Sequence, residues 1–292
     1  MYDSQVLEFV AGVLVSRLNE LHAGQLVSVL ESYGRLPRLR PSEEEKEETS
    51  NPRNHSIIST VIDLVVFKVQ LLFEVAASAL PDDLSQLQSF QLCAIAQAYS
   101  RLGFYSPSLL SAICEEFNTR LESDTTTGSS RRKPVTPLEA HRFIVSVAMV
   151  ADTTSDEVGG ALKRCVDNMI TKCLYYTTTQ LDTRGCLQLI AALRKLKHYN
   201  EKFVNTRLLP TLNNHYMKSR AAPAGAEEGL ARIHDGVLII ECLSSMPQTT
   251  AMTARLQETI LYDVIDSITA MDLPASVWKI VNFNKSVFKT EF

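Results

Sequence analysis

The chain has no paired-cysteine spacing, no HExxH, no GxxxxGK[ST], no GxGxxG and no GxSxG, and only 11 glycines from which a phosphate-cradling loop could be built. Those absences remove the common metalloprotease, nucleotide-binding and serine-hydrolase designs. The chain reads as non-catalytic, with no cofactor and no small-molecule substrate. Its cysteines (Cys93, Cys114, Cys165, Cys173, Cys186, Cys242) stand singly among apolar neighbours, without the spacing of a zinc or disulfide framework. They read as buried reduced thiols and imply a reducing compartment. The histidines fall mostly at helix ends or loops, none at ligand spacing.

Long uncharged runs are missing too. The longest apolar stretch, Ile57 to Leu80, contains Asp63, Lys68 and Glu74. It falls short of the ~18 uncharged residues of a membrane span and reads as a buried helix, so no membrane partner is expected. The opening MYDSQVLEFVAGVLVSRL has an acid at its third position and one Arg, unlike a transit peptide or a secretion signal. Targeting is either absent or carried by residues outside this chain. Excess positive charge is absent as well: at −4 and pI near 5.9, nucleic-acid contact needs a local basic patch.

What the chain does hold is ample apolar content, 45% of residues, and a phrase written twice. Residues 25–36 read QLVSVLESYGRL and residues 91–102 read QLCAIAQAYSRL. Leu92, Ile95, Ala96, Tyr99 and Leu102 lie on one helix face, as do Leu26, Val29, Leu30, Tyr33 and Leu36. Further copies of this face are expected at Phe143, Ser146, Val147 and Val150; at Cys186, Leu189, Ile190, Leu193 and Leu196; and at Gly236, Ile239, Ile240, Leu243 and Met246. Their first positions fall 66, 51, 43 and 50 residues apart, near the ~40–50 of paired-helix repeats.

Each copy is followed by a turn and a second amphipathic segment. The fold expected is all-α: an α-solenoid of about five helical hairpins in one repeat domain, with an acidic loop insert. The hairpins span roughly 1–36, 57–122, 137–176, 182–218 and 230–270, and the flexible loops 41–54, 123–137 and 220–229. The first helix, apolar through Val6, Val10, Val13 and Leu14, must then meet another helix or a partner.

Cations recur at one place: Arg35, Arg101 and Lys195 precede the last apolar residue of three copies, where Asp152 and Ser245 fill the other two. A cation in a last turn complements the negative end of the helix. Stacked repeats would also align these side chains, with Arg38, Arg40 and Arg194 nearby, into a broken basic ladder for phosphates or an acidic protein surface. Arg131, Arg132 and Lys133 are the densest basic run, either a solvated loop or a segment that orders on RNA or an acidic partner. Tyr33, Tyr99, Phe104 and Tyr105 have base-stacking faces, but the first two sit on the packing face.

The stretch QLCAIAQAYSRLGFYSPSLLSAICEEF resembles the helical repeats of organellar RNA proteins, the FAST-kinase-like group and octotricopeptide-type repeats. Tyr99, Arg101, Leu102, Gly103, Pro107, Leu109 and Leu110 carry the match; the copy at 25–36 matches its first half, with Pro37 in place of Gly. The resemblance implies a mitochondrial or plastid protein of RNA processing, RNA stability or ribosome assembly, in contact with RNA or protein subunits of a ribonucleoprotein. The alternative is a protein-protein scaffold that does not touch RNA. No nuclease-like domain is visible at VWKIVNFNKSVFKTEF, so the chain reads as a fragment or a repeat-only scaffold.

Overall fold

The recurring Gln is a helix-start residue. Helix α1 (Ser4–Ser16) is followed by α2 (Ala23–Gly34), which begins at His22. His22 Nδ1 accepts the Gln25 N–H at 3.2 Å, and Gln25 Oε1 accepts the His22 N–H at 3.1 Å. After the long α3 (Pro52–Ala79), the same box opens α4 (Ser89–Leu102): Gln91 Oε1 takes the Gln88 N–H at 2.8 Å. Two otherwise orphaned backbone donors are satisfied at each start. Beyond α5 (Pro107–Ser123), Thr136 and Glu139 exchange the equivalent bonds at α6 (Pro137–Val150).

The α6 cap corrects the third copy's register. Counting from Glu139 as from Gln91, the matched face is Ala140, Phe143, Ile144 and Val147, all buried, with Val150 at its half-buried end. The face expected from the pattern began one turn later. Phe143, Ser146 and Val147 of that expected face are buried as well, because α6 buries more than one stripe, so periodicity alone does not set its phase.

This computed structural model describes residues 4–35, 52–123, 134–150, 159–175, 177–198, 200–221, 226–244 and 251–270, which are helical with no strand among them. They divide into two compact units, Met1–Thr177 with Lys195–His198, and Thr178–Arg194 with Tyr199–Phe292. In the first unit the helices pack in alternation. α2 packs on α4 and α4 on α6, while α1 packs on α3, α3 on α5, and α5 on α7 (Gly159–Asn168). α3 starts at Pro52, inside the 41–54 stretch expected as a loop; a proline's missing N–H costs nothing in a first helical turn.

The tyrosine of the phrase ties the two sets together. Tyr33 donates its hydroxyl to the Leu7 carbonyl of α1 at 3.1 Å, and Tyr99 donates to the Phe73 carbonyl of α3 at 2.6 Å. Each acceptor lies 26 residues upstream of its donor. Burial raises both phenol pKa values, so both hydroxyls remain donors across neutral pH. α2 and α4 approach closely just beyond this tie. A Cβ on Gly34 would stand 2.7 Å from Ala98 Cα, closer than packed atoms tolerate.

α4 ends at Gly103, whose φ of 71° is left-handed, and the Phe104 N–H closes back on the Tyr99 carbonyl at 2.9 Å. Arg120, 6% exposed on α5, braces the turn before α4. It donates to Leu87 O at 2.7 Å, Leu84 O at 3.2 Å and Ser89 Oγ at 3.1 Å, and pairs with Glu116 at 2.8 Å. Asn118, fully buried, accepts from Asn168 Nδ2 at 2.9 Å and links α5 to α7.

The second unit holds α8 (Thr183–Lys195, apart from its last residue), α9 (Glu201–Phe203), α10 (Leu209–Ala221), α11 (Ala226–Ser244) and α12 (Ala251–Ala270). Asp182 caps α8 by accepting the Gly185 N–H at 2.7 Å. Between α9 and α10 the helix widens into a π turn, Val204–Leu208, directly before Pro210. A wider turn relieves the clash and missing bond that a proline imposes on the preceding turn. α11 packs on α12, with Gly236 seated against Val264.

Candidate interaction site

The recurring cations stand at helix C-termini: Arg35 after α2, Arg101 on α4 and Lys195 at the end of α8. Gly34 meets Ala98 near the ends of α2 and α4, so Arg35 and Arg101 leave the fold from neighbouring helix ends. Arg35 is exposed and ion-paired with Glu31, one turn earlier on the same helix. Such an exposed pair contributes little to stability and opens readily to a competing anion. Arg101 is exposed in the last turn of α4 and makes no ion pair with a described residue.

Lys195 does what its repeat position suggests, but for a different helix. Its Nζ donates to the Met149 carbonyl in the last turn of α6 at 3.3 Å. A cation there satisfies an orphaned carbonyl and meets the negative helix end. Asp152, the residue expected there from the sequence pattern, lies outside the described residues, and in the register set by the α6 cap the matching residue is Met149. Arg194 is half-buried and close enough to Cys242 on α11 to act on its thiol. Burial pushes that thiol up to about 11, with Arg194 opposing the rise. Arg194 thus faces α11 within the second unit. Arg38, Arg40, Arg131, Arg132 and Lys133 lie outside the described residues.

Beside the end of α4 the fold leaves a cleft of about 390 Å³ between α3 and the turn from Gly103 to Ser108. Phe73, Tyr99, Phe104 and Tyr105 form its aromatic part, with Phe73 4.8 Å from Tyr99 and 5.2 Å from Phe104 between ring centres. Glu74 stands at its edge and accepts from Gln70 Nε2 at 2.8 Å. Nothing in the sequence pattern pointed to Glu74, which reads there only as a charge interrupting an apolar helix. The cleft shows how the four aromatics divide: Tyr33 and Tyr99 are buried, while Phe104 and Tyr105 are half-buried.

The outer side of α1 is a second exposed feature. Val6, Phe9, Val10 and Val13 are 55%, 71%, 40% and 38% exposed, at helical spacing along one side, although α1 packs on α3. Five cysteines are buried and none of the six is in a disulfide; Cys93 donates to the Glu139 carbonyl at 3.3 Å. Among the described residues no group of His, Cys, Asp and Glu could hold a metal ion, and no helix is long and apolar enough to cross a membrane. Comparisons with family models, with curated proteins and with solved structures found no match to the chain.

Proposed function

We propose that the chain is a non-catalytic helical-repeat protein of organellar RNA metabolism, its hairpins continuing as an α-solenoid that binds RNA, within a ribonucleoprotein, along one edge. The observation that carries this reading is the row of helix ends at α2, α4 and α6, with Arg35, Arg101 and Lys195 on it. RNA phosphates spaced along a strand suit cations presented one per repeat. The organellar location and the role in RNA processing, stability or ribosome assembly come from the resemblance of the 91–117 stretch.

The test is fluorescence anisotropy of the chain with unstructured RNA across ~50–200 mM salt. Tight binding at low salt should weaken steeply with salt. The triple Ala variant of Arg35, Arg101 and Lys195 should bind less tightly, with a log–log salt slope shallower by about 2. Unchanged binding in that variant would remove the edge from the proposal.

A second reading is a protein-protein scaffold without RNA contact. The exposed stripe Val6, Phe9, Val10 and Val13 favours it, because contiguous exposed apolar surface marks protein interfaces. Absence of RNA binding at low salt would favour this reading over the first.

A further inference from the structure

We infer that the cleft between α3 and the α4–α5 turn is a receptor for an arginine side chain carried on a peptide of a protein partner. The inference does not rest on the RNA edge, because none of the three edge cations lines the cleft.

The chemistry of the walls selects the guest. The half-buried ring of Phe104, backed by the buried ring of Phe73, carries partial negative charge on its face and attracts a cation laid over it. Glu74 is the only carboxylate on the lining, and no Lys, Arg or His joins it, so the charge complement of the cleft is positive. A phosphate would meet Glu74 with no cation to offset it. Gln70 steadies one carboxylate oxygen, and acceptor capacity remains for two parallel N–H donors. Arginine fits this combination better than lysine: its planar, weakly hydrated guanidinium stacks on a ring while its edge forks onto a carboxylate.

Size and shape agree. About 390 Å³ is at the lower end of small-ligand clefts, roughly 300–1,000 Å³, which suits one side chain with its flanking backbone. Ser106 and Ser108 add hydroxyls to the lining, and the Ser78 hydroxyl is donated to the Glu74 carbonyl at 3.2 Å. Ser106 and Ser108 lie 3.3 Å apart, within hydrogen-bonding reach of each other. The Tyr99 hydroxyl is already committed to the Phe73 carbonyl, so it braces the wall. Gly103, left-handed, turns the chain so that Phe104 and Tyr105 return against the end of α4.

The experiment is an NMR titration of the full ¹⁵N-labelled chain with N-acetyl-arginine-N-methylamide, following the Gly103, Ser106 and Ser108 amides. N-acetyl-norleucine-N-methylamide and a short oligouridylate serve as comparisons. The arginine probe should shift those amides saturably, and norleucine should bind about tenfold more weakly or not at all. Glu74→Gln, at an exposed position, should keep the thermal midpoint and weaken the arginine probe about tenfold, the loss of one charge-assisted contact. Phe104→Leu should weaken it a fewfold by removing a ring face. Equal response to norleucine, an unchanged Glu74→Gln variant, or stronger shifts with oligouridylate would each overturn the inference.

Discussion

Helices α2 and α4 carry the same phrase, begin with the same reciprocal cap and send the same tyrosine to a carbonyl 26 residues upstream, and they differ in how they end, with a cleft beside the end of α4. The difference lies after the phrase. α4 ends on left-handed Gly103, and its chain folds back through Phe104 and Tyr105 against Phe73. At the end of α2, Arg35 has right-handed backbone angles and Pro37 follows two residues later. A repeated face therefore builds the scaffold, and the chemistry comes from what each copy does at its end.

The largest expected difference between the two ends concerns Arg120. It braces the turn before α4 through two backbone carbonyls and Ser89. Arg120→Ala leaves those carbonyls and Glu116 without their buried partner. It should cost about 3–5 kcal/mol in urea unfolding, the range for breaking a buried ion pair. Arg101→Ala, a cation in the last turn of α4 but exposed, should change stability by less than about 0.5 kcal/mol. Similar losses in the two variants would mean that Arg120 does not brace the turn.

That pair of arginines also marks where the sequence was legible. The helices could be read because apolar spacing at 0, 3, 4 and 7 is a local property, and Leu26, Leu30, Leu92 and Ile95 are buried as it implies. Arg120 and Arg101 both occupy last turns, and spacing does not tell a buried brace from an exposed cation. Lys195 was legible as a helix-end cation, but its partner carbonyl, Met149, sits 46 residues away on α6. Glu74 gains meaning only once Phe104 is folded beside it. Contacts between distant segments set all three, and no local pattern encodes them.

The tyrosine ties give a finer contrast. Both hydroxyls donate to helix carbonyls, but Tyr99 makes the shorter bond and packs edge-on to Phe73, while Tyr33 bonds at 3.1 Å to the exposed helix α1. Tyr99→Phe should cost about 1 to 1.5 kcal/mol and Tyr33→Phe about 0.5 kcal/mol in the same urea assay. Equal costs would mean that the two copies are energetically equivalent and that the aromatic surroundings of α4 add nothing to its tie.

The smallest effect separates the copies at one position of the repeated phrase, where α2 has Val27 and α4 has Cys93, both buried. Burial, with the Glu139 carboxylate adding to it, raises the Cys93 pKa far above the ordinary value of 9.0. In the unfolded chain the thiol ionises near that ordinary value, so above pH 9 the folded state holds a proton that the unfolded state has lost. Stability must therefore be complete below pH 9 and fall as pH rises through it, at up to about 1.4 kcal/mol per pH unit for one thiol. At pH 9 itself the loss is about 0.4 kcal/mol. Cys93→Val writes the α2 residue into α4 and should remove that component, leaving a shallower decline in urea midpoint between pH 8 and 10. The slope that remains belongs to the other buried thiols, Cys186 among them, whose pKa burial pushes up to about 12. An unchanged slope in Cys93→Val would show that the Cys93 thiol ionises in the folded chain as it does in the unfolded one, and that the α4 face is open to solvent where the α2 face is closed.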